Sequence, residues 1–152
     1  MKSILNTILF IALATFAFSC GQKSQPAEEG EAPVSMIEEE EPKSVFFGNL
    51  EDGAEVTSPL TIEMGVEGME VEPAGAIKEG FGHHHIIIDV SFIPAGQVVP
   101  ADANNIHYGD GRTETELELE PGEHTLTLQF ADGVHQSYGE ELSATISVVV
   151  TE

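Results

Sequence analysis

Six histidines, His83, His84, His85, His107, His124 and His135, are the residues of this chain whose type and spacing could do chemistry. Neutral imidazole offers one nitrogen lone pair per ring, and several rings together suit copper, zinc or nickel. No nucleophile pattern accompanies them. There is no Gly-x-Ser-x-Gly, no HExxH helix motif and no phosphate-cradling loop, and Gly109-Asp110-Gly111 reads only as a tight turn. Hydrolase and nucleotide chemistry are therefore not supported, and no catalytic residue is assigned.

Strand geometry sorts the first three. Ile86, Ile88, Val90 and Phe92 alternate, so His84 points with them while His83 and His85 share the other face. Two residues on one strand face lie about 6.5–7 Å apart at Cα, close enough for their rings to converge on one ion. Asp89 falls on the same face and could accept the proton of a ligand imidazole's other nitrogen. His107 and His135 fall in segments expected to be loops, which could bring them to the same ion. His124 alternates with Leu126 and Leu128 and is expected to point inward. His84 and His124 thus read as core-edge histidines bonded to backbone carbonyls. For His83 and His85 two readings stay open: metal ligands, or a hydrogen-bonded ladder that fixes a loop. Met69 could add a soft ligand for cuprous copper, or serve the core or a loop.

These residues need a rigid frame, and the pattern around them is all β. Val45-Phe46-Phe47 is a short apolar strand. Leu60 to Val66, Ile86 to Phe92, Thr115 to Leu119, His124 to Phe130 and Ala144 to Val150 alternate with polar residues. A Pro-, Ala-, Asn- and Gly-rich loop is expected from Pro94 to Gly111, and Pro121-Gly122 marks a turn. No useful stretch has helical periodicity. About seven strands in about a hundred residues predict an antiparallel sandwich or small barrel. Gly53 to Ile62 resembles the first strands of bacterial immunoglobulin-like domains, though without a Cys-Trp-Cys framework.

The frame begins late in the chain of 152 residues. Met1-Lys2 and the apolar run Ile8 to Phe18 form an export leader too short to span a bilayer comfortably. Ala17-Phe18-Ser19-Cys20 then resembles a bacterial lipobox, with Ala17 where Leu is usual. Cys20 is the lone cysteine, so it reads as a lipidation site rather than half of a disulfide. Gly21 to Ser44 is rich in Glu, Pro, Gly and Ser and is expected to be an unfolded acidic tether. The organisation expected is a signal peptide over 1–19, lipidated Cys20 and tether over 20–44, and a β domain over 45–152. An aspartate after the cysteine would favour inner-membrane retention; Gly21 stands there, so the outer membrane fits better.

Net charge is −22, from five Lys plus Arg against 27 Asp plus Glu. Such a surface repels phosphate backbones and anionic lipid, arguing against nucleic-acid binding, and it concentrates cations.

Gly82-His83-His84-His85, His107-x-Gly109-x-Gly111-x-Thr113-Glu114, Pro121-Gly122-x-His124-Thr125-Leu126 and Asp132-x-x-His135, with Gly68-Met69 and Pro73-Ala74-Gly75, form a string over most of 45–150. It resembles the hallmark of an uncharacterised family of secreted or periplasmic bacterial proteins that carry a domain of unknown function. The resemblance implies an exported β domain whose histidines belong to the pattern, and no activity. His83-x-His85-x-x-x-Asp89 with Pro121-Gly122-x-His124 is also similar to the two cupin metal motifs. Cupins carry Glu where Asp89 stands and space the second motif more widely, so a jelly roll is the minor alternative.

Three functions follow as expectations. The first is a non-enzymatic envelope module binding copper or zinc through His83, His85, His107 and His135. The second is an immunoglobulin-like structural module, held to the membrane by its lipid, that contacts an envelope protein or polysaccharide. The third and least favoured is a cupin-type metalloenzyme. Oligomeric state is not encoded in any feature of the chain.

Overall fold

The computed structural model describes residues 42–152. The leader, Cys20 and the tether up to Glu41 lie outside the described residues. Ser44, expected as the last tether residue, instead opens the first strand.

Alternating sequence becomes strand wherever one face can be buried. Nine strands form among the described residues: β1 (Ser44–Phe47), β2 (Ala54–Thr57), β3 (Leu60–Glu67), β4 (Glu70–Val71), β5 (Phe81–Ile88), β6 (Asn105–His107), β7 (Glu114–Leu117), β8 (Gly122–Ala131) and β9 (Ser143–Thr151). A single 3-10 turn, Glu140–Leu142, precedes β9. The order β1-β3-β7 makes a small sheet, and β2-β9-β8-β5-β4 makes a larger one, with β6 also paired to β5. Pairing is antiparallel except for β2 with β9 and β4 with β5. The all-β sandwich expected from the alternation is what the chain forms.

The core lies between the sheets. Leu60, Ile62, Met64 and Leu117 from the small sheet meet Ile86, Ile88, Leu126, Leu128, Phe130 and Val148 from the larger one. Ile62 and Phe130 are wholly buried. Each such side chain contributes about 1.5–3 kcal/mol through burial.

Part of the outer face of the larger sheet, around β5 and the second half of β8, is also buried. On β5 it carries His83, His85 and Ile87, opposite Ala131, Gln129 and Thr127 of β8. Two connections cross it, one from β5 to β6 and one from β8 to β9. They pair with each other: Gly96 N–H donates to Ser137 O, Ser137 N–H to Gln97 O, and Val99 N–H to His135 O, at 2.8–2.9 Å. Gln129 ties them to the sheet. Its Oε1 accepts from Ile93 N–H at 3.1 Å, and its Nε2 lies 3.0–3.2 Å from the carbonyls of Gly139, Leu142 and Phe130.

Two expectations are corrected. The strand through His83 stops at Ile88 rather than running to Phe92. Asp89 takes φ 58°, a left-handed turn, and Val90 beyond it is exposed. The segment expected as an unbroken loop from Pro94 to Gly111 contains β6. That strand is only three residues long, and its partners come from β5 rather than from a local hairpin.

Candidate metal centre

The floor of the site is β5. His83 and His85 sit on its outer face at 0% and 1% exposure, with ring centroids 4.9 Å apart. His84 points the other way, into the sandwich, where its ring meets Phe130 at 5.0 Å. Alternation along the strand therefore separates the triplet in the expected register.

β6 brings the third ring. His107 pairs directly with His85, and paired residues in neighbouring strands share a face. It was expected in a loop; it stands at the end of a strand. Gly109 makes room for it, since a Cβ there would lie 2.2–2.3 Å from the His107 ring.

A turn after β8 brings the fourth. Asp132 Oδ1 accepts from the N–H groups of Val134 and Gln136 at 2.9 and 2.8 Å, and Asp132 O accepts from His135 N–H at 2.9 Å. His135 is held at φ 69°, a conformation that costs a non-glycine residue about 1–3 kcal/mol. The Pro73–Ala76 segment braces both turns. Ala74 N–H donates to Gly109 O, Gly75 N–H donates to Gly133 O, and a Cβ on Gly133 would strike Ala76 O at 2.3 Å.

The four rings form a chain through Nε2, and three of them, His83, His107 and His135, gather around one point. His85 to His83, His83 to His107, and His107 to His135 are each 3.1 Å apart. The six ring pairs have centroid separations of 4.5–6.0 Å. One nitrogen from each of His83, His107 and His135 lies within 4.8 Å of the other two, a spacing that could hold an ion. The floor pair is sealed, His107 is exposed and His135 is part-exposed.

Electrostatics favours neutral rings. Burial, reinforced by His107 and His135, lowers the pKa of His83 to about 4, with Asp132 pulling the other way. Burial and the neighbouring rings take His85 down to about 3. Burial and His135 also lower His107, against Asp110. Neutral imidazole is the form that ligates metal. Nδ1 of His83 and Nδ1 of His85 are buried with no hydrogen-bond partner among the described residues.

The remaining expected residues lie elsewhere. Asp89 does not serve the His83–His85 pair. It is four residues past His85, about 13 Å along a strand, and its carboxylate takes His124 Nδ1 at 3.0 Å and Thr125 N–H at 2.9 Å. His124 is only partly inward. Its Nε2 donates to Glu120 O at 3.0 Å, the backbone carbonyl bond expected of a structural histidine. With both ring nitrogens facing acceptors, Asp89 first among the causes, its pKa is raised. His84 differs from the same expectation: both its nitrogens are buried without partners, and burial lowers its pKa to about 4. Met69 packs against the core. The cupin-like set of His83, His85, Asp89 and His124 is not assembled, because His124 precedes the cross-strand partner of His85 by five residues, about 17 Å. Asp132 and Gly109, which shape the two delivering turns, were visible only as members of a motif string.

No curated protein and no solved structure matches the chain. The family described as a domain of unknown function, DUF4399, matches residues 62–151, more than half of the chain, spanning β5 to β9 and all six histidines. The chain belongs to that family.

Proposed function

We propose that this domain is a transition-metal module of the cell envelope, binding copper or zinc through Nε2 of His83, His85, His107 and His135. The observation that carries the reading is the run of three Nε2–Nε2 separations at 3.1 Å. A ring nitrogen has one in-plane direction, used either by its proton or by its lone pair, so it makes one good hydrogen bond. His83 Nε2 and His107 Nε2 each face two other Nε2 atoms. A hydrogen-bonded ladder would leave at least one of those contacts unsatisfied. One cation at the common point of His83, His107 and His135 would take three of these lone pairs, and a shift of the His85 ring toward it would add the fourth. Nitrogens 2.0–2.1 Å from a tetrahedral ion lie about 3.3–3.4 Å apart, close to the spacing found between successive rings of the chain.

The donor set favours the same metals. It contains neutral imidazoles only, with neither thiolate nor carboxylate, which suits copper and zinc over magnesium or calcium. The ligands bring no charge, so the buried Asp132 and the acidic surface offset that of the ion. Export and lipidation at Cys20 rest on the leader and the lipobox-like segment, and membrane attachment through that lipid would place the module in the envelope, on the outer membrane.

The test is metal content and calorimetry on tag-free protein, wild type against His83→Ala/His85→Ala. Binding of about one copper or zinc per chain that vanishes in the variant supports the site. Equal affinity in both proteins removes it, and no binding in either favours a structural module.

A further inference from the structure

The four histidines are not equivalent. His83 and His85 are fixed on the central strand β5, flanked by β8 and by β6, and have almost no exposure. His107 closes the three-residue β6 and is exposed, and His135 rides a turn and is part-exposed. A metal held by all four would therefore have a sealed side and an open side. The surroundings of the open side are unusual for so acidic a chain. Of five exposed large hydrophobic residues among the described residues, Val134 adjoins His135, Val98 pairs with Gln136 next to it, and Ile77 follows the Ala76 that contacts Gly133. Of the acidic residues in this region, Asp132 is buried and engaged with backbone N–H groups, and the exposed Asp110 beside His107 is paired with Arg112 at 2.6 Å.

Resting on the metal reading above, we propose that the His107–His135 rim is an exchange port through which the domain passes its metal to an acceptor by ligand substitution. An acceptor donor atom, a neutral nitrogen or sulfur, binds the ion first. The His107 Nε2–metal bond then breaks, and the His135 bond follows. His83 and His85 hold the ion until further acceptor donors replace them. The metal keeps its oxidation state throughout, each bond lost is matched by one formed, and the departing imidazoles leave neutral. The apolar border fits a protein segment that presents such donors beside uncharged side chains. The domain is then a carrier rather than a structural or catalytic metal centre.

The test is stopped-flow transfer from metal-loaded full-length protein to two acceptors: a small amine chelator, and a peptide with two histidines flanked by Val and Leu. A port predicts rates that rise in proportion to acceptor concentration for both. It also predicts severalfold faster transfer to the peptide, an advantage lost in Ile77→Ser/Val98→Ser protein that binds metal with unchanged affinity. Rates independent of acceptor concentration would mean a closed site that must first release its ion, and would overturn the proposal while leaving metal binding intact. Equal rates for the two acceptors would overturn the role of the apolar border and assign the port to small ligands. Failure to load metal at all would instead overturn the reading on which the port rests.

Discussion

The outer-face cluster and the His124–Asp89 pair use the same side chain on the same sheet to opposite ends. In the cluster, burial and mutual repulsion keep His83 and His85 neutral, and their nitrogens face one another. At the far end of β8, His124 lies between a carboxylate and a carbonyl, and its charged form is favoured. A chain this rich in acid could have paired every histidine with a carboxylate. Leaving the four without one keeps their lone pairs available, and the contrast separates ligand from brace more sharply than sequence position does.

The largest difference should appear on deleting rings. His83→Ala/His85→Ala should lower copper or zinc affinity by about a hundredfold or more, whereas His124→Ala should leave it unchanged within error, both read by calorimetry. Comparable losses in the two proteins would erase the distinction.

Acid should separate the two regions next. Isolated histidines protonate near pH 6.5. The lowered pKa values, about 4 for His83 and about 3 for His85, mean that these two rings resist protonation well below that. Ligation through these two rings should accordingly persist below the pH at which ordinary histidine sites fail. The same shifts cost stability in acid. Between about pH 6.5 and 4 the unfolded chain takes up protons at His83, His84 and His85 that the folded one does not, so metal-free protein should melt progressively lower across that window. His124 acts with the opposite sign. Its raised pKa stabilises the fold fully below pH 6.5, and that contribution fades as pH rises through the folded value. His124→Gln should therefore lower the melting temperature by a few degrees near pH 5 and by less in alkali, measured by calorimetric scans.

A smaller effect tests delivery of the rim. Asp132→Ala removes the oxygen that accepts from Val134 and Gln136, and should weaken metal binding about tenfold by loosening His135. Asp132→Asn keeps that oxygen and should lose less. Gly109→Ala, whose methyl would collide with the His107 ring, should weaken binding with little change in melting temperature. Unchanged affinity in all three would mean that the turns do not set the ring positions.

How far the site was legible follows from which contacts are local. Side-chain alternation separates His84 from His83 and His85, because a period of two is a property of the strand itself. Nothing in Asn105-Ile106-His107 announces a strand. Its register with Ile87-Ile86-His85 comes from tertiary pairing across the whole connection from Asp89 to Asn104, which spacing does not encode. Asp89 was misplaced for a related reason. Sharing a face does not imply proximity at about 13 Å, and its left-handed turn hands the carboxylate to a neighbouring strand. His135 was expected in a loop, but the strained φ that aims its ring becomes visible only in three dimensions.

Gln129 gives the segments over the outer face a particular fate. Buried in the middle of β8, it joins the sheet to Ile93 on one connection and to Gly139 and Leu142 on the other. Removing those bonds means withdrawing a buried amide from three backbone groups of the connections at once, so the connections and the sheet should open as one cooperative unit. Hydrogen exchange at Ile93 should then run as slowly as at Thr127, even though Ile93 belongs to no strand, and the covering layer should survive proteases for as long as the sandwich does.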